Sequence, residues 1–106
     1  MIRRFVHSVL SHSGYNVVDA DTAEEALRMI EANPDVKLLV TDVMMPDVNG
    51  CELAIKMRER QPRLRVLFMS GYESGLLATA SVPGAAFLPK PFGIPDLIAR
   101  VKQILA

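Results

Sequence analysis

Three residues of unlike chemistry, Asp42, Ser70 and Lys90, each follow or close a short apolar run. Open parallel sheets gather their reactive groups at the carboxyl ends of the strands. A carboxylate, a hydroxyl and an ammonium at three such ends would meet in one shallow site without entering the core. The local sequences suit that purpose. Asp42 leads into Met44-Met45-Pro46-Asp47 and then Gly50, a rigid loop that would hold the carboxylate at a fixed mouth. Gly71, after Ser70, lets an incoming group come close to the backbone. Pro89 and Pro91 stiffen the chain around Lys90. Lys90-Pro91 is a candidate cis peptide, since proline lowers the cis penalty to about 0.5–1 kcal/mol, and a cis bond there would aim the ammonium at the site. Plainer readings stand beside these. Aspartate near proline and glycine commonly forms a turn, and a lone lysine is usually a solvated charge. The coincidence of all three at strand ends favours a site.

The chain must alternate strands and helices for these ends to converge. Apolar residues 2, 5, 6, 9 and 10 share one helical face, and Gly14 stops that helix as a C-cap would. Tyr15–Ala20 reads as a short strand. Thr22 and Glu25 make a capping box for a second helix, whose buried stripe is Ala23, Ala26, Leu27 and Ile30 and which ends at Asn33-Pro34. Val36–Thr41 is an apolar run too short for a helix, as expected of a parallel strand covered on both faces. The loop Asp42–Asn49 leads to a helix from near Gly50 to near Gln61-Pro62. Arg65–Ser70 is the next buried strand. Gly71–Val82 is ambiguous: Leu76, Leu77 and Ala80 suggest a short helix that Gly75 weakens. Ala85–Leu88 is the last strand. Ile94, Leu97, Ile98, Val101, Ile104 and Leu105 form the clearest amphipathic helix, with Pro95 tolerated in its first turn. Strict alternation with buried strands predicts an α/β fold, a doubly wound parallel sheet with helices on both faces.

Composition narrows the function. The 106 residues fit one domain, 1–106, and 50% apolar with 23% charged is ordinary for a globular protein. Twelve basic residues against twelve acidic ones leave no net charge, which argues against direct nucleic-acid binding. Arg58, Arg60, Arg63 and Arg65 cluster at a helix end and read as a solvated rim. The single cysteine, Cys51, excludes an internal disulfide and suits a reduced setting. As a catalytic thiol it would need a base, and the only histidines, His7 and His12, lie in the first helix at a spacing that also misses the i,i+4 metal pattern. No apolar run reaches the roughly 20 residues that cross a bilayer, and the N-terminus does not resemble a signal peptide. A cytoplasmic location without membrane contact is expected.

The blocks LLVTDVMMPDVNG, VLFMSGY and AAFLPKPF resemble, in order and spacing, the three signature blocks of response-regulator receiver domains, including those of hybrid histidine kinases. The resemblance runs along essentially the whole chain and implies a flavodoxin-like fold and a role in two-component phosphorelay signalling. It implies that Asp42 is the phosphoryl-accepting nucleophile of a phosphoprotein. Ser70 would be the hydroxyl that binds a phosphoryl oxygen and shifts on activation, and Lys90 the ammonium that pairs with the group. Phe87 would be the aromatic that turns on activation, although a plain core role fits it equally. The Met44 backbone carbonyl, with Asp42, would be a ligand of Mg²⁺; the side chains of Met44 and Met45 read as packing. The implied partners are a histidine kinase or histidine phosphotransfer protein, and an output domain or partner protein.

One part of the family pattern is missing. Receiver domains open with a buried strand that ends in an acidic pair, which helps hold the Mg²⁺. Here Met1 falls within the first helix, no acid precedes Asp19, and Asp19 and Asp21 belong to the second family strand and its loop. The metal ligand set is therefore incomplete. The expectation is an N-terminally truncated receiver, with an earlier true start or a gene fragment as the simplest explanation. In the 2-1-3-4-5 order the absent strand is central, so either Tyr15–Ala20 slides across to pair with Val36–Thr41 or the fold is marginal. Three functions follow: a phosphorelay receiver, a phosphorylation-independent interaction module (or a silent fragment lacking the Mg²⁺ site), and an aspartyl-nucleophile phosphatase. The last needs a second acid that nothing here supplies, so no enzyme is expected.

Overall fold

A computed structural model describes residues 2–44 and 49–106. Met45, Pro46 and Asp47, part of the loop expected to fix the carboxylate, lie outside the described residues. In chain order the elements are α1 (Ile2–His12), α2 (Ala23–Ala32), β1 (Leu38–Asp42), α3 (Gly50–Arg60), β2 (Arg65–Ser70), α4 (Tyr72–Ser81), β3 (Ala86–Pro89) and α5 (Ile94–Leu105). The strands form a parallel sheet in the order β1-β2-β3.

β2 shows why the sheet is covered on both faces. Leu67 and Met69 point to one side and pack with Val6 and Leu10 of α1, Leu88 of β3, and Leu97 and Val101 of α5. Val66 and Phe68 point to the other, against Ala54 of α3, Ala78 of α4, Val43 and Val82. A third cluster joins Ile30 of α2 to Leu53 and Met57 of α3 and to Leu64. This is the period-2 alternation of a strand with an apolar layer on each face. No helix among the described residues is long and apolar enough to cross a membrane.

The caps largely follow the sequence. Gly14 takes φ +96° after α1, a left-handed value suited to glycine. Thr22 Oγ1 accepts from Glu25 N at 3.1 Å, while the Glu25 carboxylate reaches Asp21 N rather than the cap's own amide. Asp96 accepts from Gly93 N ahead of α5.

Two expectations change. Tyr15–Ala20 is not a strand. Among the described residues it pairs with neither β1 nor any other strand, and a trench of about 600 Å³ lies between it and β1. Isolated alternation can predict an extended segment, but a strand also needs a ladder neighbour. The ambiguous stretch after Gly71 is a full helix, α4. Its buried residues are Gly75 and Ala78, whereas Leu76, Leu77 and Ala80, the residues that suggested a helix, are exposed. The arginine cluster forms the solvated rim expected: Arg60, Arg63 and Arg65 are exposed and Arg58 is half-buried. Arg58 Nε donates to Leu64 O and its guanidinium to Pro83 O, Arg60 pairs with Glu31 at 2.7 Å, and Arg65 reaches Ile104 O.

Candidate functional site

The site begins with three strand ends. Asp42 is the last residue of β1 and Ser70 the last of β2. Lys90 directly follows β3, and its backbone N–H donates to Ser70 O at 2.8 Å, carrying the ladder one step further. Asp42 lies opposite Met69, and Ser70 opposite Pro89, so the three residues fall at one level across the sheet. The Lys90 ammonium forms an ion pair with the Asp42 carboxylate. The Asp42 side chain is 27% exposed and that of Lys90 37%, a shallow mouth rather than a core site. The Lys90-Pro91 peptide is cis.

Ser70 is buried at this mouth, and its hydroxyl donates to Gly71 O at 3.0 Å rather than to the ion pair. The sequence-predicted carboxylate and ammonium are thus in contact, with the hydroxyl on the strand between them. A Cβ at Gly71 would meet open space, leaving room above Ser70.

Behind the carboxylate the packing is close. Gly50, which opens α3, donates its N–H to Val43 O at 2.7 Å, and a Cβ there would stand 2.0 Å from the Asp42 carbonyl oxygen. Only glycine lets α3 start this near the end of β1. Asn49 caps α3 by accepting from Cys51 N at 2.7 Å, and Met44 and Asn49 form an antiparallel bridge.

Phe87, on β3, stands half-buried against α4. Its ring meets Tyr72 edge-on with centroids 5.8 Å apart, and Arg100 of α5 donates to its carbonyl at 3.1 Å. Tyr72 and Gly75 were missed as site neighbours; a glycine inside a helical window was the available signal. Three other candidates find separate places. His7 pairs with Asp19 at 2.6 Å and Arg3 with Asp21, tying α1 to the segment after it. His12 meets Ser8 O at 2.7 Å. Cys51 lies in the first turn of α3, where burial pushes its thiol up, away from the thiolate form a nucleophile needs.

The metal expected from the resemblance needs oxygen donors in a near-octahedral shell. Asp42 offers one carboxylate and Met44 one backbone carbonyl. Among the described residues no three His, Cys, Asp or Glu side chains converge to hold an ion. These residues alone do not fit the group.

Known proteins resemble the chain throughout. Residues 1–102 match the response regulator receiver domain family. The response regulator receiver protein CpdR of Brucella abortus is 33% identical over 98% of this chain and 88% of its own length. The DNA-binding transcriptional regulator NtrC of Rhizobium meliloti is 39% identical over 99% of this chain, which spans 22% of that protein. The crystal structure of the receiver domain of NtrX from Brucella abortus superposes with a TM-score of 0.87 at 27% identity, over 98% of this chain and 89% of that one.

Proposed function

The chain belongs to the response regulator receiver domain family of two-component systems, and on that premise we propose that Asp42 is its phosphoryl acceptor. The observation that carries the reading is the Lys90 ammonium paired with the Asp42 carboxylate at the mouth of the sheet. Receiver domains interact with histidine kinases and with output domains. The donor proposed here is a phosphohistidine of a histidine kinase or phosphotransfer protein.

In the transfer, an Asp42 carboxylate oxygen attacks phosphorus and a new P–O bond forms. The P–N bond of the donor breaks, its electron pair returns to the imidazole, and that nitrogen takes a proton. The aspartyl phosphate carries about two negative charges where the carboxylate carried one. Lys90 is placed to follow the new charge from the carboxylate to the phosphoryl oxygens. The Ser70 hydroxyl, which donates to Gly71 O, lies on the strand between those that lead to Asp42 and Lys90. Its departure from that carbonyl and a turn of Phe87 would relay the change to α4 and α5, where Tyr72, Leu77 and Ile94 stand exposed for an output domain or partner protein.

Receiver domains in general bind Mg²⁺ for phosphorylation. The described donors fall short of a site, so no step here is routed through the ion. That shortfall also favours a second reading, an interaction module that keeps the receiver shape and works without phosphate.

Intact-mass measurement separates the two. The chain is incubated with acetyl phosphate, with and without Mg²⁺, beside Asp42→Asn. One added phosphoryl group, absent from the variant, is the expected result. No gain under any condition would sink the phosphoryl reading and leave the interaction module.

A further inference from the structure

Gly75 stands inside α4, where glycine is the poorest helix former after proline. Its position is buried, and a Cβ there would lie 2.2, 2.6 and 2.7 Å from Cδ2, Cγ and Cε2 of Phe87. No real side chain fits at those distances, so the ring occupies the notch that the missing Cβ leaves. Tyr72, three residues earlier and so on the same helical face, meets the same ring with an interplanar angle of 69°. The backbone beneath the ring is fixed by the pairing of Phe87 with Phe68 and by Arg100 on its carbonyl. Ring and helix are therefore the two parts free to adjust. Gly75 and Ala78 are the buried residues of α4, and Leu76 and Leu77 face outward at 47% and 71% exposure.

We propose that Gly75 is the positioning residue for Phe87: notch and ring form a latch that ties the side-chain angle of Phe87 to the placement of α4. A ring seated in the notch holds the helix close to β3. A ring turned out of it removes one of the two anchors of α4 and shifts the exposed Leu76-Leu77 pair with the helix. Packed contacts of this kind switch between discrete arrangements rather than deforming smoothly. The latch itself does not depend on phosphate; only what drives the ring rests on the phosphoryl reading of Asp42.

Thermal unfolding of the full chain tests it in four forms: unmodified, Gly75→Ala, Phe87→Ala, and both together. Gly75→Ala should lower the melting temperature when Phe87 is present. It should raise it in the Phe87→Ala background, because the notch is then vacant and alanine favours the helix. The same sign in both backgrounds would overturn the latch. If Gly75→Ala alone fails to fold, the comparison of the double variant with Phe87→Ala carries the test, and a lower melting temperature in the double variant overturns it. For the coupling, ¹⁹F NMR of fluorophenylalanine at position 87 is recorded before and after acetyl phosphate. The resonance should move in the unmodified chain and be displaced from the start in Gly75→Ala. A resonance that stays in place while intact mass shows an added phosphoryl group overturns the coupling. Absence of mass gain counts against the phosphoryl reading, and the sign reversal still judges the latch.

Discussion

The Lys90 ammonium reaches the Asp42 carboxylate from two strands away, a span of about 9.6 Å at ordinary ladder spacing. A long flexible stem ending in a compact charge suits that reach; the rigid fork of arginine places its donors differently. Lys90→Ala leaves the strand ends intact but removes the cation facing the incoming group. A charge-assisted hydrogen bond contributes about 1.5–3 kcal/mol. The rate of phosphoryl gain from acetyl phosphate, followed by intact mass, should therefore fall roughly 10–100-fold while the melting temperature changes little. An unchanged rate would remove Lys90 from the site. Asp42, Ser70 and Lys90 were legible in the sequence because each ends an apolar run, and a strand end is a position that local pattern reveals. The hydroxyl's present partner, Gly71 O, was not legible, since a rotamer is set by neighbours that no pattern encodes.

At the level of elements, the start of α3 is fixed by contact rather than by propensity. The Asp42 carbonyl oxygen occupies the space that a side chain at Gly50 would need. Gly50→Ala must push the helix away from β1 and should destabilise by about 1–3 kcal/mol, as overpacking generally does. Urea unfolding would report this as a lower midpoint at unchanged slope; an unchanged midpoint would mean the loop absorbs the methyl. Strand positions were readable within two residues: Val36–Thr41 was expected where Leu38–Asp42 forms, and Ala85–Leu88 where Ala86–Pro89 forms. The helix at Tyr72–Ser81 was obscured because its glycine, unfavourable by propensity, is required by the Phe87 ring. Tyr15–Ala20 misled for the opposite reason. Its alternation is sound, and what decides its state is a neighbour that local sequence does not describe.

Across the whole molecule, protection should follow the ladder. β2 is paired on both sides, whereas the N–H groups of residues 16–20 have no hydrogen-bond acceptor among the described residues. Hydrogen exchange should be slowest in Val66–Met69 and faster in Asn16–Ala20 by several orders of magnitude, since local opening there breaks no ladder. Comparable protection in the two segments would show that the trench beside β1 closes in solution. The trench leaves the molecule compact but open. Its radius of gyration is 12.6 Å, close to the ordinary value of about 12.9 Å for this length. Its surface, by contrast, is 6613 Å², where a protein of this mass exposes about 5,900 Å². Apolar wall already in contact with water adds nothing further on unfolding. The heat-capacity increment should therefore fall below the usual value of about 1.3–1.6 kcal/mol/K for a chain of this size, and the curve of stability against temperature is correspondingly broad and shallow.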